Sequence, residues 1–85
     1  PPSAQDIWWL HLFECFGRSE IAVAASRAEY CVLPNRGLSF ADCRVLTGLR
    51  ILDLSGNNLI LIHGLEQLRK LILLDLRNNP KLQLN

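Results

Sequence analysis

The chain has 85 residues, 49% of them hydrophobic and 20% charged, with a formal net charge of +1. This length fits one domain, and the balance excludes a disordered chain or one with the basic stripe that nucleic acid requires. No apolar run reaches the roughly 18 residues of a membrane span, because the longest candidate, residues 7–16, is broken by His11 and Glu14.

Residues 1–26 allow two readings. In the first, Ser3-x-x-Asp6 is a capping box that opens a helix, with Trp9, Leu12, Phe13 and Phe16 on one face and Gly17 ending it. In the second, Ile7-x-x-Leu10-x-Leu12-x-x-Cys15 is a unit of spaced leucines, and the stretch from Ile7 to Phe13 is rich in strand-favouring residues. Ser19 would then cap a return helix over Glu20 to Ala28.

From Arg27 onward the pattern is periodic. Asparagine recurs every 22 residues, at Asn35, Asn57 and Asn79. Leu49-x-x-Leu52-x-Leu54-x-x-Asn57-x-Leu59 is repeated as Leu71-x-x-Leu74-x-Leu76-x-x-Asn79. Moving upstream by the same step gives a worn copy: Arg27, Tyr30, Val32, Asn35, Phe40, Cys43 and Leu46. Here Arg27 stands where a leucine belongs, and Gly37 leaves a gap that Leu38 would fill. The last copy makes a similar shift, with Lys81 misplaced beside Leu82, while Leu84 falls in register with Ile62.

Leu52 and Leu54 alternate, so they share one face of a short strand while Ile51, Asp53 and Ser55 face the other way. Steps of three through Ile62, Leu65 and Leu68 then predict a helical or 3₁₀ return. Gly56 and Gly64 fall where the chain must turn. A buried Asn57 needs partners, and its amide can bond turn backbone on either side. Stacked copies would form a ladder.

The register from Leu46 to Asn79 resembles the leucine-rich repeat family, and is similar to the 22-residue intracellular class found in regulatory subunits of protein phosphatase 1. The resemblance implies a mixed α/β solenoid of three to four short parallel strands on a concave face, with helical or 3₁₀ returns on the convex face. The single domain 1–85 would divide into a cap or degenerate first repeat (1–26) and repeats 27–48, 49–70 and 71–85, the last incomplete. The wider family allows cysteine in the asparagine slot, so the ladder would run Cys15, Asn35, Asn57 and Asn79. This favours the repeat reading of residues 1–26, with 20 residues between Leu10 and Tyr30.

Such folds usually supply a surface rather than a reaction. In this register the outward column between the strand leucines runs His11, Cys31, Asp53 and Asp75. The column before it runs Trp9, Glu29, Ile51 and Leu73, and the one after it Phe13, Leu33, Ser55 and Arg77. The expectation is a non-catalytic module that binds another protein through its concave sheet, without a cofactor or metal. Trp9, Phe13, Leu33, Ile51 and Leu73 would be its anchors, with Asp53, Asp75 and Arg77 orienting the partner. An alternative is a structural subunit embedded in a large protein or ribonucleoprotein assembly.

A remote alternative is an enzyme or zinc site built from His11, Cys31 and Asp53, although a three-strand face offers neither cleft nor oxyanion partner. Cys43 replaces a core leucine, His63 is read as solvated, and the tryptophan pair as core or partner contact. The three cysteines, an odd number without paired spacing, favour a reducing, intracellular setting, cytoplasmic or nuclear. The chain starts at Pro1 without a visible signal peptide and reads as a fragment, a processed form or the ordered part of something larger. An uncovered last strand would expose Leu71, Leu74, Leu76, Leu82 and Leu84, so further repeats or a partner chain are expected at that end.

Overall fold

The N-terminal segment folds as a helix because its first turn is closed at both ends. Asp6 N–H donates to Ser3 Oγ at 3.1 Å, and Ser3 N–H donates to the Asp6 carboxylate at 3.2 Å. In the computed structural model, which describes residues 1–18 and 20–83, helix α1 covers Ala4–Phe16. Gly17, at φ 81°, ends it with a hydrogen bond to the Phe13 carbonyl.

The capping box therefore decides the segment against its strand-favouring composition, and residues 7–15 are not a strand. Trp8 and Leu12, one turn apart, are fully buried, and Trp8 Nε1 donates to the Asp42 carbonyl at 2.9 Å. The buried stripe is thus rotated by one position from the expected face. Trp9, Phe13 and Phe16 are half-buried beside it. Helix α2, Ile21–Arg27, falls within the expected return helix, entered through Glu20 at φ 53°. Ser19, its expected cap, lies outside the described residues.

Five three-residue strands follow among the described residues. Strands β1 (Tyr30–Val32), β3 (Ile51–Asp53) and β5 (Leu73–Asp75) form a parallel sheet in the order β1-β3-β5. Strands β2 (Phe40–Asp42) and β4 (Leu61–His63) form a second parallel pair. The chain is therefore mixed α/β.

The returns differ from expectation. They contain β2 and β4, and helical character among the described residues after β1 is limited to a 3₁₀ turn at Leu65–Gln67. Parallel pairing satisfies the backbone there, and Phe40 meets His63 edge-on at 5.3 Å between ring centres. His63 is therefore engaged by an aromatic neighbour as well as by solvent. Neither sheet is curled, so the described residues present no concave face.

The register carries the main correction. Tyr30 pairs with Ile51, an offset of 21, whereas Ile51 pairs with Leu73, an offset of 22. The first segment is one residue short. Cys31 consequently pairs with Leu52, and both are buried. Continuing the same offset, Leu33 takes the place of Leu54, and Leu38 that of Leu59. All four are buried.

Asn35 is displaced from the ladder. It occupies the position of Gly56 and Asn78, and the three share left-handed backbone at φ 57°, 68° and 61°. Asparagine and glycine tolerate that region, so Asn35 is kept by its turn rather than by burial. A β-carbon at Gly56 would collide with Asn35 Oδ1, so the neighbouring turn requires glycine for space as well.

Two asparagines bridge successive segments. Asn57, nearly fully buried, donates to the carbonyls of Leu33 at 3.0 Å and Leu54 at 2.8 Å. Its Oδ1 accepts from the backbone N–H groups of Arg36 at 2.9 Å and Leu38 at 3.0 Å. Asn79 repeats the arrangement, donating to Leu54 at 2.9 Å and Leu76 at 3.0 Å and accepting from Leu59 N–H at 3.1 Å. Cys15, the fourth expected member, lies exposed on α1.

The core runs from Trp8 and Leu12 through Cys31, Leu33, Leu46, Leu49, Leu52 and Leu54 to Leu68. Toward β5 the inward positions open: Leu71, Leu76 and Leu82 are half-buried, and Leu74 is 44% exposed. Leu84 lies outside the described residues.

Replacing Asn57 by alanine should cost on the order of 1–3 kcal/mol, because the N–H groups of Leu38 and Arg36 and the Leu33 carbonyl lose that partner together, while the Leu54 carbonyl keeps its bond from Asn79. Asn79→Ala should cost less, since one N–H depends on it. Urea denaturation of the two variants compares them, and equal midpoint shifts would contradict the bridging role.

Candidate protein-binding face

Strand alternation sends one side chain of each pair out of the three-stranded sheet. The observed register arranges them in two rows. Tyr30, Ile51 and Leu73 form an apolar row, and Val32, Asp53 and Asp75 run beside it. Tyr30 is 58% exposed, Val32 52% and Leu73 50%, while Ile51, Asp53 and Asp75 are half-buried.

Exposure of this kind on one small sheet is informative, because scattered apolar residues are ordinary but a contiguous row is not. Among the described residues, no side chain of the chain itself covers Tyr30 or Leu73 beyond this level.

The two carboxylates behave differently. Asp75 is clamped by Arg77, which donates from Nε at 3.0 Å and from a terminal guanidinium nitrogen at 2.8 Å. These hydrogen bonds hold the Asp75 carboxyl below its usual range. Asp53 accepts only from Ser55 N–H, at 2.9 Å, and has no cation within ion-pair distance among the described residues. The same Asp-x-Arg clamp recurs at Asp42 and Arg44, again drawing the carboxyl downward. Asp53 is therefore the carboxylate on the face without a close ion pair, although it lies within the field of Arg77.

The expected anchors divide. Ile51, Asp53, Leu73 and Asp75 lie on the sheet face together, and exposed Arg77 sits at its edge. Leu33 points inward and is 1% exposed, because the one-residue slip reverses every side chain of β1 relative to the expected columns. Trp9 and Phe13 belong to α1, where they pack as a tilted pair with ring centres 6.2 Å apart. Tyr30 and Val32 take the outward places expected of Glu29 and Cys31. The signal for this was present: Leu38 stands one residue beyond the expected leucine, so a shorter repeat would have aligned Cys31 with Leu52.

The residues of the enzyme or metal alternative are not brought together. His11 is on α1, with Nδ1 at 2.8 Å from the Ile7 carbonyl. Cys31 points into the core, while Asp53 faces outward. Burial pushes the Cys31 thiol up to about 12 and likewise that of Cys43, the opposite of an activated nucleophile. Among the described residues, no group of three or more His, Cys, Asp or Glu side chains could hold a metal ion. No helix among them is long and apolar enough to cross a membrane.

Comparison with known proteins adds no analogy: no family model, no curated protein and no solved structure matches the chain.

Alkylation by iodoacetamide at neutral pH should modify Cys15 first and leave Cys31 and Cys43 protected until the chain unfolds, as mass mapping of partly labelled protein would show. The two buried thiols also set an alkaline limit. Their folded pKa lies above the ordinary value of 9.0, so their contribution to stability is present below about pH 9 and is lost as pH rises toward about 12. Stability measured against pH should fall across that window, and less steeply in Cys31→Ala/Cys43→Ala.

Proposed function

We propose that this chain is a leucine-rich repeat solenoid of the 22-residue intracellular class, serving as a non-catalytic module that binds another protein through the outer face of β1, β3 and β5. The observation that carries the reading is the row of Tyr30, Ile51 and Leu73, its two outer members at least half-exposed and the middle one half-buried, set beside the carboxylate of Asp53. Tyrosine, isoleucine and leucine in register present a rigid apolar strip, and a carboxylate without a close ion pair orients what lies on it. The leucine spacing and the two bridging asparagines support the family reading.

A partner segment suited to this face is apolar along its centre and carries a lysine or arginine opposite Asp53. Arg77, already committed to Asp75, would help set the edge. A reducing compartment belongs to the same reading, since Cys15, Cys31 and Cys43 are free thiols. A second reading, a subunit embedded in a larger assembly, is favoured by the apolar exposure at β5, where Ile72 and Leu74 are open as well as Leu73.

The test is a paired variant. Tyr30→Asp/Leu73→Asp changes exposed side chains, so the melting temperature should stay close to that of the parent. Partners captured quantitatively by the parent should be lost from the variant, with an affinity decrease of about tenfold or more for a purified partner. Retention of every captured protein by a folded variant would remove the sheet face as the binding surface.

A further inference from the structure

The strand register also organises the residues just before the strands. Arg50 N–H donates to the Glu29 carbonyl and Ile72 N–H to the Arg50 carbonyl, so Glu29, Arg50 and Ile72 align. Two residues earlier, Arg27, Gly48 and Lys70 follow the same offsets of 21 and 22. The middle member of that row has no side chain. A notch of about 420 Å³ beside it is lined by Ser26, Arg27, Glu29, Gly48, Arg50 and Lys70.

Gly48 is required beside the notch for a steric reason. A β-carbon there would lie 2.9 Å from the Ser26 carbonyl oxygen, closer than packed atoms approach, so the backbones pass at a distance only glycine permits. The place of a third side chain is taken by the Ser26 and Ala28 carbonyl oxygens, 2.9 and 3.4 Å from it, and the notch is bounded by the longer side chains around it.

The charge in this place is unbalanced. Arg44 and Arg77 are each clamped on an aspartate, at 2.6 and 2.8 Å. Arg27, Arg50 and Lys70 have no carboxylate within ion-pair distance among the described residues, although Glu29 lines the same notch. Three cations against one carboxylate leave a local excess of two positive charges, in a chain whose total is +1.

We propose that this notch is an oxyanion site for a phosphate monoester, either free phosphate or a phosphorylated side chain. Two guanidinium forks and one ammonium supply planar, bidentate donors and a point charge, a set that matches a compact dianion better than a single carboxylate. The Glu29 carboxylate and the Ser26 carbonyl keep the anion at the mouth, in contact with water, so binding is weak and salt-sensitive. A nucleic-acid strand is a poor match, because the neighbouring sheet face carries Asp53 and Asp75 and the basic row is short. The site lies off the sheet face and stands whether or not that face binds protein.

Amide and arginine Nε shifts can be followed by NMR while sodium phosphate is added to the intact chain, against sodium chloride at equal ionic strength. Saturable shifts at Gly48, Arg50 and the Arg27 side chain are expected with phosphate and not with chloride. Arg50→Gln/Lys70→Gln, at two exposed positions, should weaken binding by about tenfold or more while leaving the spectrum of the core unchanged. A peptide carrying phosphoserine, compared with its unphosphorylated form, separates the two sources: tighter binding than free phosphate assigns the site to a modified side chain, and equal binding to the free anion. Shifts that grow linearly without saturation, that chloride reproduces, or that survive the double substitution would overturn the proposal.

Discussion

The side-chain amide of Asn57 is the constraint on which the rest of the structure depends. It is buried between the first and second strand segments, and its two ends bond backbone that neither sheet satisfies. Three-residue strands contribute few ladder hydrogen bonds of their own, so the turns that follow them must be held by other means. Asn57 and Asn79 do this in the same way, each reaching back one segment. The leucines then pack at fixed height, and the outward residues of β1, β3 and β5 fall into rows.

That arrangement links the interior to the surface. Because the rows are set by the turns, the apolar strip of Tyr30, Ile51 and Leu73, the carboxylate of Asp53 and the cations around Gly48 are products of one register. At the opposite end, Trp8 ties α1 to the second sheet by a buried hydrogen bond to the Asp42 carbonyl. The stack is thereby closed by helix at the β1 side, while at β5 its inward positions grow progressively more exposed.

Much of this was legible in the sequence between Leu46 and Asn79, where every apolar slot is filled and the offset is constant. The roles of Asn57 and Leu52 follow from burial and spacing alone. What was not legible traces to particular residues. Asn35 stands 22 residues before Asn57 and so advertises the wrong frame, yet it is there because its backbone is left-handed. Taking it as a ladder member shifts β1 by one residue and turns Cys31 and Leu33 outward on paper. In the N-terminal segment, aromatic strand propensity competed with a capping box, and the box prevailed because it satisfies backbone groups that propensity leaves open. The strands β2 and β4 were masked by a spacing of three that a 3₁₀ return would also produce.

Every outward residue of β1 depends on the one-residue slip between the first and second segments. Cross-strand NMR contacts measure it directly. The account predicts α-proton and amide contacts pairing Tyr30 with Ile51, Cys31 with Leu52 and Val32 with Asp53. Contacts placing Cys31 opposite Asp53, with Leu33 solvent-exposed, would contradict it.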